Sequence, residues 1–207
     1  SILAFAAITI GFVFIHYPNT SLFMALLITA SVGTIMGLVN GIIVTRFNVH
    51  SIIVTLGTLS LYRGLVFIVS GGRQIDRNDI PVHIISFSQT SFLFSIPAIL
   101  ILSVIIVLIT HLIMRHSVLG REIYATGSNP EAAHLKGINV TKVTLFCFGV
   151  CGMLSGVAGL FYASRFGYVN PGVTGVGIEF IVIAGVIIGG TSITGGSGSV
   201  LGTFLGI

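Results

Sequence analysis

Long apolar blocks alternate with short polar breaks from one end of this chain to the other. The blocks run to about 20 residues without period-2 alternation, which selects membrane-spanning helices over a barrel. In hydrocarbon every backbone polar group must be satisfied internally, and a helix does this within a single segment. The pattern predicts spans over about 1–15, 21–45, 51–69, 91–114 and 143–164. A turn at 16–20 separates the first two, and a polar loop over 70–90 precedes the fourth. After a connection at 165–177 only a half-span, 178–190, is left before GGTSITGGSGS interrupts it, and the apolar run 199–207 is cut by the end of the chain. A half-span beside a glycine-rich break reads as a broken or re-entrant segment near a translocation path, in preference to a plain short loop. The expected fold is all-α and integral to the membrane, a polytopic helical bundle forming one domain over 1–207.

Small residues recur at helical spacing inside two of these spans. Gly33, Gly37 and Gly41 line one face of the second, and Gly152, Gly156 and Gly159, with Ser155 and Ala163, stand in the fifth. Such stripes let helix backbones approach closely.

The polar stretch 115–142, RHSVLGREIYATGSNPEAAHLKGINVTK, breaks the apolar pattern most sharply. The chain has nine basic and five acidic side chains, and six of these charges lie here: Arg115, Arg121, Glu122, Glu131, Lys136 and Lys142. A turn is expected at 127–130. Asn129 is suited to cap a helix whose first residue is Pro130. Glu131 and Lys136 complement the dipole at the two ends, and Gly137 is placed to stop the helix. The prediction is a capped helix of about seven residues, built to dock to a soluble partner rather than to serve as a solvated linker.

Composition agrees with a membrane location. Hydrophobic residues make up 54% of the 207 positions and charged ones 7%, with a mean hydropathy of +1.11. That is far from the roughly one-quarter charged residues of soluble domains. Connections must alternate sides, so Arg46, Arg115, Arg121, Lys136 and Lys142 share one face. Arg73, Arg77 and Arg165 share the other, with Asp76 and Asp79. The positive-inside rule puts the first group, and the 115–142 segment, in the cytoplasm. The net charge of +4 includes no basic run that would address nucleic acid. Cys147 and Cys151, four apart in an apolar run, read as packing residues. No charged residue precedes Arg46 and the chain stops in an apolar run, as expected of a sequence cut inside a longer protein at both ends.

Candidate chemistry is sparse. The chain has no HExxH, no pair of intramembrane carboxylates and no convincing nucleophile–base set. His16, His50, His83, His111, His116 and His134 mostly sit at span ends or in loops, where interfacial anchoring explains them better than metal ligation. The late glycine-rich block is not a phosphate loop, because no lysine follows Lys142. Arg63, about twelve residues into the third span, either snorkels outward or faces a cavity. Glu179 either faces a cavity or favours a helix N-terminus. Asn40, Thr58, Arg63, Glu179, Gly189 and Gly190 are the candidates for lining a translocation path, and no metal site is expected.

The blocks VNGIIVTRFNVHSIIVTLGTLSLYRGLVFIVSGG, GREIYATGSNPEAAHLKGINV, GVAGLFYASRFG and GIEFIVIAGVIIGGTSITGGSGSVLGTFLG, in this order, resemble the membrane permease subunits of bacterial ABC importers for monosaccharides. This is the group that holds the ribose, xylose, rhamnose and autoinducer-2 permeases. The resemblance covers nearly the whole chain. It implies a multi-pass protein of the inner membrane, paired with a second permease subunit as homodimer or heterodimer. It also implies a cytosolic ABC ATPase that binds ATP-Mg and an extracytoplasmic sugar-binding protein, with no cofactor in this chain and lipid around it. Gly127, Asn129, Ala132, Ala133, Gly137 and Ile138 match the family's G-x-N-x-x-A-A-x-x-x-G-I pattern, which with Pro130 and Glu131 makes the segment the expected ATPase-coupling helix. Gly189, Gly190, Gly195, Gly196, Gly198 and Gly202 match its late glycine block. The family's usual G-G-I-D-L-S-V-G-S-like block before residue 1 and its further spans after 207 are missing here. The implied mechanism is alternating access without catalysis by this chain. A permease for nucleosides or branched-chain amino acids is the nearest alternative. A membrane enzyme using Glu122, Glu131 and His134 in the cytosolic loop is the more distant one.

Overall fold

The computed structural model describes residues 1–89, 91–92 and 96–207. Its helices are α1 (Ile2–His16), α2 (Leu22–Phe47), α3 (Ser51–Ser70), α4 (Val82–Gln89), α5 (Ala98–His116), α6 (Val118–Ser128), α7 (Pro130–Leu135), α8 (Val140–Phe166), α9 (Ile178–Ile188) and α10 (Val200–Gly206). A 3-10 turn covers Arg77–Asp79, and a small antiparallel pairing joins Ser91–Phe92 to Ile96–Pro97. Helices α2, α3, α5 and α8 are long and apolar enough to cross a membrane, so the fold is an all-α polytopic membrane protein. At 1.5 Å per residue, the 15 residues of α1 span about 22 Å and the 11 of α9 about 16 Å. Both fall short of the ~30 Å hydrocarbon core.

Contacts divide the chain into two compact units, residues 1–99 with 145–176 and residues 100–144 with 177–207. In the first, α1 is enclosed by the other elements: Ala4, Ala6, Ala7, Ile8 and Ile10 are fully buried and Phe14 nearly so. A helix apolar on every side belongs in the middle of a bundle. Helices α2 and α8 meet through their glycines. A Cβ on Gly33 would overlap the carbonyl oxygen of Gly152, one on Gly37 that of Phe148, and one on Gly156 that of Thr29. Small side chains are what this contact requires, because dispersion between backbones falls steeply with separation.

The second unit repeats the device on a shorter scale. Gly189 and Gly202 each lie where a Cβ would strike the other's carbonyl oxygen, and Gly185 faces Gly206 and Ile207 in the same way. Helices α9 and α10 thereby form a tight antiparallel-style contact of two short elements joined by the glycine loop 189–199.

Three sequence expectations are corrected. The fourth span starts at Ala98 and not at Ser91, with 93–95 outside the described residues. Pro97 lacks an N–H and biases Ile96 toward extended backbone, so the helix cannot propagate backwards through it. The supposed plain loop 70–90 contains α4, whose Ile84, Ile85 and Ser88 are buried. Finally, 115–142 holds two helices rather than one. Ser117 ends α5 and caps α6 by accepting from the Gly120 amide at 3.0 Å.

The glycine contact yields a direct prediction. Gly152→Val should destabilise the folded protein by about 2–3 kcal/mol, seen as a lower melting temperature in detergent. Gly57→Ala, which meets nothing within 4 Å inside α3, should not lower the melting temperature, since alanine is the better helix former. Equal melting of the two variants would show that the α2–α8 contact is not close.

Candidate functional site

The segment between α5 and α8 is built almost entirely from local signals. Asn129 closes α6 and opens α7: its amide donates to Ala125 O at 3.1 Å, and its Oδ1 accepts from the Ala132 amide at 3.0 Å. Pro130 occupies the first helical position, where a missing N–H costs nothing. At the other end the Ile138 amide donates to Ala133 O at 3.1 Å and the Gly137 amide to His134 O at 2.9 Å. Gly137 has φ +82. These are the two bonds and the left-handed residue of a Schellman closure. Asn139 then caps α8, accepting from the Lys142 amide at 3.0 Å.

Only Ala133 of α7 is buried; Pro130, Glu131, Ala132, His134, Leu135 and Lys136 are all exposed. Leu135 is 88% exposed. The six residues of capped helix and the C-cap Lys136 therefore present an acid, a histidine, a lysine and one protruding leucine.

Behind α7, the end of α6 is seated on the glycine loop. A Cβ on Gly195 would overlap the carbonyl oxygen of Gly127, and one on Gly196 would crowd Ser128. The Tyr124 hydroxyl donates to Gly198 O at 2.9 Å. A recess of about 320 Å³ lies between Met114, Ile123 and Tyr124 on one side and Thr191, Val200 and Thr203 on the other.

In the first unit a second polar cluster joins three connectors. Ile75 and Val169 pair as an isolated antiparallel bridge, and Asn170 Nδ2 donates to Gln74 Oε1 at 2.8 Å. His83 Nε2 lies 3.0 Å from Thr20 O. Ser88 donates to Ser164 O at 2.9 Å and Ser164 to Ile84 O at 2.6 Å. Arg63 reaches this cluster from α3: its Nη1 donates to Thr174 O at 2.8 Å and, at 3.4 Å, to Pro171 O.

The profile of the family described as "Branched-chain amino acid transport system / permease component" matches residues 1–206. The chain belongs to this permease family. It is 35% identical over 206 residues to proteins named "Autoinducer 2 import system permease protein LsrC" from Yersinia pseudotuberculosis (serotype O:3, strain YPIII) and Yersinia pestis (strain Pestoides F). The match covers all of this chain and 57% of each relative, so the chain spans a little over half the length of the curated relatives it matches. No solved structure matches it. Family and spans together identify a multi-pass protein of the bacterial inner membrane.

Within this permease the residues expected along a path fall in different places. Asn40, 5% exposed, takes part in the α2–α3 contact, where Tyr62 Oη lies 3.0 Å from its Oδ1 and 2.9 Å from Met36 O. Thr58 is one turn before Tyr62 on the same buried face of α3 and bonds back to Thr55 O at 3.3 Å. Arg63 holds the 171–174 turn by its carbonyls, an arrangement that neither reading of its sequence position contained. Glu179, in the other unit, is half-buried in the first turn of α9. Gly189 faces Gly202, and Gly190 stands in open space with φ +81. Gly127 points at the glycine loop rather than outward. Among the described residues, no three His, Cys, Asp or Glu side chains gather as a metal site, and both cysteines are free.

Sequence reasoning missed Leu135 and Tyr124. A large apolar residue in a short, otherwise polar helix was a usable signal for Leu135. The partner of Tyr124 is 74 residues away, and no local pattern reports that.

Two predictions come from this geometry. Asn129→Ala removes the cap of α7 at a cost of about 1 kcal/mol, so hydrogen exchange at the Ala132 amide should accelerate about fivefold; unchanged protection would mean the cap is not formed in the membrane. Arg63→Met should loosen the 170–176 turn by about 1–3 kcal/mol and expose it to proteolysis in intact vesicles. Equal cleavage of variant and parent would remove the clamp.

Proposed function

We propose that this chain is the translocating subunit of a binding-protein-dependent ABC importer for a monosaccharide or sugar-like solute, and that α7 docks to a cytosolic ATPase. The observation that carries this is the capped helix α7 with its exposed Leu135, in a chain that belongs to a permease family. An apolar side chain held out on a short capped helix and flanked by Glu131, His134 and Lys136 has apolar area that only a partner would cover, within a polar rim. Fixing the helix at both ends lowers the ordering cost of association. It also lets the helix be pushed as a body.

The sugar class is supported by the relatives named for autoinducer 2 import and by the resemblance of the late glycine block to monosaccharide permeases. The family's own description favours a second reading, a branched-chain amino acid as solute. The two separate in one assay. The full-length permease, reconstituted with its ATPase and binding protein, takes up labelled ribose, xylose or rhamnose under the first reading and labelled leucine under the second. Coupling then proceeds by alternating access: the ATPase closes, α7 moves with it, and the membrane helices exchange outward for inward opening around the solute. A second permease subunit completes the path.

Leu135→Asp tests the docking. In the full-length protein it should reduce copurification of the ATPase at least about tenfold, a hot-spot-sized loss, while yield in the membrane stays unchanged. Full retention of the ATPase and of its stimulated hydrolysis in this variant would overturn the assignment of α7.

A further inference from the structure

We propose that Tyr124, with the backbone contact of Gly127 and Ser128 against Gly195 and Gly196, is the joint that carries movement of α7 into the α9–α10 pair, and that Tyr124 is a positioning residue of transport. The proposal rests on the reading of α7 as the ATPase-docking helix.

The path is continuous in space. Asn129 belongs to both α6 and α7, through its amide bond to Ala125 O and its carbonyl bond from the Ala133 amide at 3.0 Å. The two helices therefore turn as an elbow with one residue between them. At its far side the elbow meets the glycine loop backbone to backbone, since a Cβ on Gly195 would overlap the Gly127 carbonyl oxygen and one on Gly127 would crowd the Gly196 amide. A contact between backbones has no rotamers with which to absorb a displacement. The loop is likewise closed on itself and tied down at both ends. The Ser192 amide donates to Ser197 O at 3.0 Å and the Thr191 amide to Val186 O at 3.1 Å, while Thr191 Oγ1 and Thr203 Oγ1 are 3.1 Å apart. Those last two bonds reach α9 and α10.

Steric contact of this kind transmits a push but not a pull. Tyr124 provides the pull. Its hydroxyl reaches Gly198 O, beyond the Gly195–Gly196 contact, so α6 grips the loop at two points rather than pressing on one. Gly198 has φ +156 and packs on Thr191, which places the gripped carbonyl next to the residue that ties the loop to α9 and α10. The recess of about 320 Å³ beside Tyr124 leaves volume into which the loop can shift.

The test uses the full-length permease in complex with its ATPase, cysteine-free apart from Leu205→Cys on α10, a position 84% exposed, carrying an environment-sensitive fluorophore. Addition of ATP, magnesium and vanadate should change the fluorescence of the parent. Tyr124→Phe keeps the ring and the fold but deletes the grip. It should lower that amplitude about fivefold or more, a typical loss of coupling between sites, with ATPase copurification unchanged. Gly127→Ala, which forces the loop away by one Cβ, should do the same and serves if Tyr124→Phe does not accumulate. A full signal in both variants with the ATPase bound overturns the joint while leaving the docking of α7 intact. Failure of the parent to bind the ATPase overturns the docking, and the joint with it.

Discussion

The structure depends on backbones touching where a Cβ would not fit. Lipid tails are as apolar as leucine, so helices in a membrane gain nothing from hiding apolar side chains against one another and must associate through close contact. Here that contact recurs: Gly33 and Gly37 on α2 against Gly152 and Gly156 on α8, Gly159 on α8 against Leu3 on α1, Gly189 on α9 against Gly202 on α10, and Gly127 on α6 against Gly195 and Gly196. Dispersion per atom pair is small, but it is collected along the whole face when the axes come this near. The same absence of side chains that permits association makes each contact intolerant of substitution. It also makes each contact stiff.

Polar groups are handled differently at the connectors. Arg63 donates to backbone carbonyls, and among the described residues the ion pair is the long, largely exposed Arg73–Asp79 contact at 3.9 Å. An exposed pair of that kind contributes little. The 71–89 and 167–176 connectors are joined instead by the Ile75–Val169 bridge and the Asn170–Gln74 bond, while Ser88 and Ser164 tie α4 to the end of α8 and Arg63 holds the 171–174 turn. Each bond satisfies a polar group at a connector or a helix end, where an unpaired group is costly once buried.

Most of this was legible before any coordinates. The helices at 2–16, 22–47, 51–70 and 140–166 follow from apolar block length alone, and α7 follows from Asn129, Pro130 and Gly137. What the sequence left hidden has two physical causes. Where an element is short and half-buried, as in α4, eight residues are too few for periodicity to stand out from a polar loop; hydropathy likewise carries the α5 block back to Ser91, although Pro97 stops the helix at Ala98. Where a role depends on a distant backbone atom, the residue type is silent. Arg63 was read as snorkelling or facing a cavity because both depend on depth, whereas its partners are the carbonyls of residues 171 and 174. The hydrogen-bond partner of Asn40, a candidate for lining the path, is Tyr62 on another helix.

The geometry of α7 also changes what its sequence pattern means. Asn129 caps, Ala133 packs beneath the helix, Gly137 takes the left-handed turn, and Ile138 donates the bond that closes it. Gly127 faces the loop behind. All of these residues, singled out by the G-x-N-x-x-A-A-x-x-x-G-I pattern, are construction, and only Ala132 among the matched positions is exposed without a turn to make. The side chains that meet solvent, Glu131, His134, Leu135 and Lys136, fall at the pattern's unspecified positions. Chains that share the pattern can therefore build the same helix in the same place and still present different surfaces.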